Sequence, residues 1–374
     1  ISTDSHFRSG NNMSILDLSG RPANFISLYD PIFMQPNDYI SGGYTGASLK
    51  VDTTSGKGNI IFNGNITITS TATAYGSPPT GYELIWGGSR AVILQSGGNI
   101  QTGYFVAYSP TLNNTVPIIM KATGNIQTGS INTGQTMDDS SGIISLTAGG
   151  NILTDRLSTG NVINLISTSL KTGDITLNAG GTITTGGLDS AATIHSGDIT
   201  IKTKNDISFN CISPYCINSS GTGNFQDISS SRSGNVTIVS EQGAIIFPPN
   251  GSSIFAGSIT TSRVAGSISL QAARNISVGD IISNSIFGGQ ADIANINVTS
   301  VNGAINTGEI NAISQSNNRG GNISLSANGN ITTGKVSAYG RGQSDTQGGI
   351  INFTSTNGSI TTGILNSTGS QPGT

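Results

Sequence analysis

The sequence predicts an all-β fold, a right-handed parallel β-helix of about ten to eleven coils with three short strands in each coil. Three observations predict it: a short phrase that recurs along the chain, strict alternation of apolar and polar residues within the phrase, and Gly or Asn where the chain would turn. The phrase is clearest near the C-terminus, where "GNISLSANGNITTGKVSA" at Gly321–Ala338 is followed by a near copy, "GIINFTSTNGSITTGILNS", at Gly349–Ser367.

An isoleucine in the middle of the phrase marks each recurrence. Aligning this anchor gives ten positions that lie 24 to 38 residues apart: Ile100, Ile126, Ile152, Ile183, Ile207, Ile245, Ile276, Ile305, Ile331 and Ile360. Self-similarity at a spacing of about 20 to 50 residues is the signature of a solenoid. One unit cannot bury its apolar face alone, so we expect successive units to stack around a continuous core.

The first strand of each unit is predicted from the run that opens the phrase. In that run Ile323, Leu325 and Ala327 would face the interior, and the intervening Asn and Ser residues would face outward. Alternation with a period of two indicates a strand and excludes a helix. Two shorter strands, "NIT" and "KVSA", follow, each introduced by Gly or Asn-Gly, which are the residues that tolerate positive φ at sharp corners. The right-handed winding is expected from the handedness of parallel crossover connections.

The chain is predicted to have three parts. Residues 1–45 lack the phrase and collect aromatic residues and prolines, so we expect an N-terminal cap or lead-in coil there. Residues 46–367 form the predicted parallel β-helix. The Ser-, Gly- and Pro-rich residues 368–374 are predicted to form a flexible tail.

Extra residues that lengthen some units fall near predicted corners, where a solenoid tolerates insertions because the stacked strands stay undisturbed. We interpret these insertions either as contact loops for a partner or as tolerated drift. An aromatic ring there can stack on a sugar or a partner, and can equally pack on the rod. The candidate contact residues are Tyr108, Tyr215, Tyr339 and Arg341.

Composition excludes two classes of partner. Only 9% of residues are charged, against about 25% ordinarily, and 16 basic and 19 acidic residues leave a net charge of −3 without any clustered Lys and Arg. A nucleic-acid groove needs such a cluster, so no nucleic-acid partner is expected. No stretch approaches the roughly 20 apolar residues of a spanning helix, so no membrane span is expected. The start at Ile1, without Met or a leader, is interpreted as a processed secreted protein or an excised fragment.

The two cysteines, Cys211 and Cys216, enclose four residues that include Pro214. This spacing favours a tight loop closed by a disulfide, and hence an oxidising compartment. Two free thiols in a cytosolic loop are the alternative. A zinc site is disfavoured because His6 and His195 are isolated and remote, and the sequence indicates no other metal or cofactor.

Asparagine stands directly before the anchor isoleucine in half of the aligned units. Side-chain amides that stack one coil apart can hydrogen-bond along the rod, so we predict a structural Asn ladder. Its members are Asn99, Asn125, Asn151, Asn275 and Asn330.

An enzyme is not expected. Polysaccharide lyases and hydrolases need two or three converging carboxylates, whereas the acids here are mostly single and occupy corner slots, as Asp174, Asp198 and Asp206 do. The adjacent pair Asp138 and Asp139 is interpreted as part of a solvated loop, with a catalytic or metal-binding role as the alternative.

The amino-acid sequence of several coils resembles that of filamentous haemagglutinin-like proteins, above all the large cyanobacterial members. The similar segments include "SRAVILQSGGNIQTG" at Ser89–Gly103 and "GDITLNAGGTITTGGL" at Gly173–Leu188, and the resemblance runs from Asn37 to Leu365. It implies a passenger exported by two-partner secretion, an outer-membrane barrel as its secretion partner, and a role as an adhesin or surface fibre. The Asn-Pro-Asn-Gly signature of the secretion domain is not found in this chain, and no catalytic residue carries over.

These inferences predict a secreted structural or adhesive rod, located outside the cell or on its surface, in which copies associate end to end through their terminal coils. Cell-surface glycans are a candidate ligand. The alternative is a glycan-binding or glycan-cleaving β-helix, which two carboxylates brought together on an exposed face would favour.

Overall fold

A computed structural model of the chain describes sixteen stretches, and the predicted cap at 1–45 and parts of the corner insertions lie outside them. The described residues are 47–52, 59–62, 65–69, 83–87, 89–109, 116–136, 141–160, 171–192, 195–211, 215–221, 232–248, 253–255, 265–285, 295–314, 319–341 and 346–370. Within these residues the regular structure is β, and no helix is present that could cross a membrane.

Three long parallel sheets wind around one core. The first sheet has eleven strands: Ala47–Asp52, Ser89–Ser96, Ile118–Ala122, Ile144–Ala148, Ile175–Ala179, Ile199–Thr203, Val236–Ser240, Ile268–Ala272, Asn295–Ser300, Asn322–Ala327 and Ile351–Ser355. The second sheet also has eleven: Ile60–Phe62, Ile100–Thr102, Ile126–Thr128, Ile152–Thr154, Ile183–Thr185, Ile207–Phe209, Ile245–Ile246, Ile276–Ser277, Ile305–Asn306, Ile331–Thr332 and Ile360–Thr361.

The third sheet completes each coil and has twelve strands: Asn65–Thr69, Glu83–Gly87, Phe105–Ser109, Ile131–Thr136, Leu157–Ser158, Leu188–Asp189, Tyr215–Asn218, Ser253–Phe255, Ile281–Ile282, Ile310–Asn311, Val336–Ser337 and Leu365–Asn366. A small fourth sheet pairs Gly340–Arg341 with Gly369–Ser370.

Successive strands pair in register, so equivalent residues of all coils lie in rows. In the second sheet one row runs through all ten predicted anchors, from Ile100 paired with Ile126 to Ile331 paired with Ile360. The longest interval keeps this pairing, since Ile207 still lies beside Ile245. The predicted parallel β-helix is therefore confirmed, and its right-handed winding stays a prediction.

Apolar residues at alternate positions fill the interior, as the sequence pattern predicts. On the strand Ile175–Ala179, the side chains of Ile175, Leu177 and Ala179 are buried, and the residues between them are more exposed. The same alternation recurs in the next coil at Ile199–Thr203. Full burial of an Ile or Leu side chain stabilises the fold by roughly 1.5–3 kcal/mol, and the rows make this core continuous along the rod.

One interior row changes residue type along the rod. At the end of the second-sheet strands, the hydroxyl of Thr102 donates a hydrogen bond of 2.8 Å to that of Thr128. Further along, phenylalanine takes this position, and the rings of Phe209 and Phe247 stack with their centroids 4.1 Å apart. Stacking identical side chains satisfies buried hydroxyls in one part of the row and packs aromatic surface in another.

Two strands depart from the predicted plan. Glu83–Gly87 pairs with Asn65–Thr69 and adds a strand at the edge of the third sheet. Gly369–Ser370 pairs with Gly340–Arg341, so strand structure reaches past the predicted boundary at residue 367. The predicted tail at 368–374 therefore needs correction up to Ser370, because backbone pairing does not require apolar side chains. Residues 371–374 lie outside the described residues.

Candidate functional site

The Asn ladder runs along the corner that precedes the second sheet. The Oδ1 atom of Asn99 accepts a hydrogen bond of 2.7 Å from the backbone N–H of Asn125 in the next coil, and Asn125 accepts one of 2.7 Å from Asn151. On one side the row extends to Asn59, whose Oδ1 accepts a hydrogen bond of 2.8 Å from the backbone N–H of Asn99. On the other side it extends to Thr182, whose backbone N–H donates one of 2.8 Å to Oδ1 of Asn151. Each bond joins one coil to its neighbour.

Asn275 and Asn330 make the same bond, each accepting at 2.9 Å from a backbone N–H of the next coil. The prediction of an amide-to-amide ladder is corrected in this respect, because the bonds run mainly from backbone to side chain. An acceptor oxygen is sufficient, so a carboxylate can replace the amide. Asp206 does so, accepting from the N–H of Ala244 at 2.8 Å.

A glycine directly before most row positions makes room for the ladder. A Cβ placed on Gly303 would lie 2.5 Å from Oδ1 of Asn275, and one on Gly150 or Gly181 would lie closer still to the Asn of the preceding coil. None of these three glycines has φ in the left-handed region. The tolerance of glycine for positive φ is therefore not used at these three corners, and the requirement for glycine is steric.

A second ladder, not predicted from the sequence, precedes the first sheet. Oδ1 of Asp174 accepts a hydrogen bond of 2.8 Å from the backbone N–H of Asp198. In the same way, Oδ1 of Asp198 accepts one of 2.7 Å from the N–H of Asn235, and Oδ1 of Asn235 accepts one of 2.9 Å from the N–H of Ser267. The signal was present in the repeated Gly-Asp-Ile and Gly-Asn-Val slots. Asp174 and Asp198 are exposed and lie on adjacent coils, but a carboxylate oxygen of each holds the backbone of the next coil.

The two cysteines form a disulfide. The Cα atoms of Cys211 and Cys216 lie 5.4 Å apart, which is within the range that a disulfide spans without backbone movement. Cys216 is buried in the core, and the partly buried Cys211 packs against the core. The bond closes a loop that leaves the second sheet after Phe209 and enters the third sheet at Tyr215.

A groove of about 480 Å³ lies beside this loop, along the corner between the second and third sheets. Its lining combines polar side chains with one exposed leucine and includes Ser130, Leu153, Asp155, Arg156, Asn210 and Asn218. Amide, carboxylate and guanidinium groups that converge beside an apolar side chain can bind the hydroxyl groups and the apolar face of a sugar.

An ion pair organises one wall of the groove. Nη2 of Arg156 donates to Oδ2 of Asp189 at 2.7 Å, and Oδ1 of Asp189 accepts from the N–H of Ala191 at 3.1 Å. Asp189 is buried, whereas the Arg156 side chain is half exposed. A guanidinium carries five N–H donors, and this is its single hydrogen bond among the described residues, so further donors are available to a ligand.

The structure does not bring the predicted contact residues together. Tyr108 and Tyr215 lie on third-sheet strands, with side chains outside the described residues. Tyr339 is half-buried, and Arg341 is exposed on the strand that pairs with Gly369–Ser370. The three tyrosines follow the third sheet at intervals of four strands, which is about 19 Å at a strand spacing of about 4.8 Å. They share a side of the rod without forming one site.

No group of three His, Cys, Asp or Glu side chains that could hold a metal ion occurs among the described residues. Asp138 and Asp139 lie outside those residues. Several of the acids that the structure describes serve as ladder acceptors, as Asp174 and Asp206 do, or as an ion-pair partner, as Asp189 does.

Comparison of the chain with protein-family models, with curated proteins and with solved structures found no match.

Proposed function

We propose that this chain is a structural or adhesive rod that acts outside the cell and carries no catalytic activity of its own. The supporting observation is the in-register stacking of three sheets around an unbroken apolar core. Such a stack provides length and stiffness from repeated contacts between neighbours. The disulfide between Cys211 and Cys216 supports an extracytoplasmic location, because disulfides persist in oxidising compartments.

We further propose that these rods associate end to end through the coil that contains Ile351–Ser355. The inward-facing residues of this coil are partly exposed to solvent, with Ile360 45% and Leu365 51% exposed. Their row neighbours Ile331 and Val336 are fully buried. The face has the register of a coil and lacks the next one among the described residues. A further coil in the same register would bury these side chains and pair the free strand edges.

Sedimentation velocity over a range of concentrations, with electron microscopy of the same samples, tests this assembly. We expect species that lengthen with concentration, and a return to the single rod for Phe353→Glu, which places a charge on the inward face. The matched control is Thr354→Glu, because Thr354 is the exposed neighbour on the same strand. A chain that stays a single rod at every concentration, or a Phe353→Glu variant that still assembles, would contradict the proposal.

The groove beside Arg156 favours a second candidate function, binding of a glycan. We expect a glycan array to show hits that Arg156→Gln loses, since this change removes the exposed guanidinium and leaves Asp189 with a neutral partner. Lys202→Gln is the control, because Lys202 forms an exposed ion pair with Glu241 elsewhere on the rod. An assay for new reducing ends separates binding from cleavage. Array hits that are unchanged by Arg156→Gln would remove this groove as the binding site.

A further inference from the structure

Basic residues recur at one position of the coil, two residues before the Gly-Asp or Gly-Asn pair that opens the first sheet. Three of them occupy successive coils, because the backbone of Lys171 pairs with that of His195, and His195 pairs with Arg232. We call these three residues the basic row. Their backbones lie about 4.8 Å apart along the rod, so the row runs parallel to the axis.

Among the described residues, no ion pair neutralises the charges of the row. Lys171 and Arg232 are exposed, and the ion pairs among the described residues involve other cations. The acids closest in sequence to Lys171 and His195 are Asp174 and Asp198, which stand three residues further along their coils and accept ladder hydrogen bonds. In a chain of which only 9% is charged, two exposed cations on either side of a histidine on successive coils form an unusual concentration of basic residues.

His195 lies in the middle of this row, and its surroundings oppose its protonation. Burial, followed by the positive charges of Lys171 and Arg232, lowers the pKa of His195 from its ordinary value of 6.5. Its Nδ1 atom is buried and has no hydrogen-bond partner among the described residues. An anion placed along the row would offset the two neighbouring charges and favour the protonated imidazole.

We propose that the basic row binds an acidic polysaccharide laid along the rod, with successive anionic groups meeting Lys171, His195 and Arg232, and that binding is coupled to protonation of His195. The residues that follow the row are Thr172, Ser196 and Ser233, and no aromatic ring flanks it in sequence. Single-stranded nucleic acid is bound by stacking of bases on aromatic side chains, whereas the anionic groups of a sugar polymer need donors and positive charge alone. The proposal supplies a ligand class for the adhesive rod and does not depend on end-to-end assembly.

Fluorescence anisotropy with labelled polygalacturonate oligomers and the full chain tests the proposal, at pH values on either side of 6.5. We expect binding that weakens with added salt and tightens about fivefold or more as the pH is lowered. Lys171→Gln combined with Arg232→Gln should lose binding at every pH. His195→Gln should retain salt-sensitive binding but lose its pH dependence. The control, Lys121→Gln combined with Arg274→Gln, removes two exposed cations outside the row and should bind as the wild type does.

Sulfated dextran serves as a second polymer, which shows whether the row prefers carboxylate or sulfate; binding of either supports the proposal. Absence of binding to both polymers would overturn it. So would wild-type affinity in the Lys171→Gln and Arg232→Gln variant, or an unchanged pH profile in His195→Gln. Single-stranded DNA that binds through the same residues as tightly as the polysaccharides would overturn the assignment of the ligand. A negative result in these binding experiments would not contradict the proposed structural rod, because sedimentation and microscopy test its assembly separately.

Discussion

Asn99, Asn125 and Asn151 each use one side-chain oxygen to hold the backbone N–H of the next coil. In these coils the glycine before the next row position gives that side chain its space, so the Gly-Asn pair of the sequence acts across the boundary between coils. The Gly of one coil accommodates the Asn of the coil before it. A backbone donor at a corner, where the strand pairing is interrupted, is thereby satisfied.

The role of the acceptor predicts a difference between two substitutions of Asn125. Asn125→Asp keeps the oxygen that receives the N–H of Asn151, so we expect little change in stability. Asn125→Leu removes the acceptor and should lower the free energy of unfolding by about 0.5–1.5 kcal/mol. Urea titrations followed by circular dichroism measure both. Equal losses for the two variants would show that the amide nitrogen, and not the oxygen, supports the corner.

His195 predicts a dependence of stability on pH. Its pKa is lowered in the folded chain by burial and by Lys171 and Arg232, so between that lowered value and 6.5 the unfolded chain binds more protons. Stability from this residue is therefore complete above pH 6.5 and is lost as the pH falls through the folded pKa. His195→Gln should flatten this part of the profile of urea midpoint against pH. His6→Gln, which changes the other histidine, is the control, and identical profiles for wild type and His195→Gln would contradict the assignment.

At the scale of the coil, strand rows keep their register while the connections between them vary in length. Ile183 pairs with Ile207 and Ile207 pairs with Ile245, although the two intervals differ by fourteen residues, 24 against 38. Each coil is therefore a unit defined by its three strands, and its corners carry the length variation.

This modularity predicts that one coil can be removed. Deleting Ile126–Asn151 joins Asn125 to Ile152 and restores the Asn-Ile sequence of the ladder corner. We expect the shortened chain to keep its β circular dichroism spectrum and a cooperative melt. Deleting Gln127–Asn151 instead leaves one extra residue in the strand, which would turn the inward side chains outward. Similar melting curves for the two deletions would show that register is not set by the anchor row.

The strands and anchors could be predicted from the sequence because an inward Ile recurs at the same place in almost every coil. Glu83–Gly87 could not, because the pairing of an edge strand depends on its backbone, and "ELIWG" does not repeat the phrase. The basic row was also hidden, since Lys171, His195 and Arg232 are far apart in sequence and meet only through coil register. The disulfide partners were predictable from their spacing, whereas the neighbouring groove depends on Arg156 and Asp189, which come from two different coils.

For the whole molecule, stability comes from contacts between neighbouring coils, so it should differ between the interior and the ends. The strand Ile175–Ala179 pairs on both sides, with Ile144–Ala148 and Ile199–Thr203. The strand Ile351–Ser355 pairs on one side, with Asn322–Ala327, among the described residues. Its inward positions are correspondingly less buried.

We therefore expect amide hydrogens of Ile351–Ser355 to exchange with solvent much faster than those of Ile175–Ala179 in dilute protein. Raising the concentration should slow exchange in the terminal strand and leave exchange in Ile175–Ala179 unchanged if rods associate there. Hydrogen exchange read by mass spectrometry of peptides gives both values. Uniform protection along the rod, independent of concentration, would contradict both the stability gradient and the proposed association.

The direction of the strand pairing also determines how the rod would respond to tension. Hydrogen bonds between coils lie along the axis, so a pull on the two ends loads the coil boundaries in series, and coils should detach one at a time. Each detached coil releases 24 to 38 residues, which is roughly 80–140 Å of extended chain at about 3.3–3.6 Å per residue. Because the intervals are unequal, the force trace of a single molecule would contain steps of unequal length whose sizes identify the coil that opened.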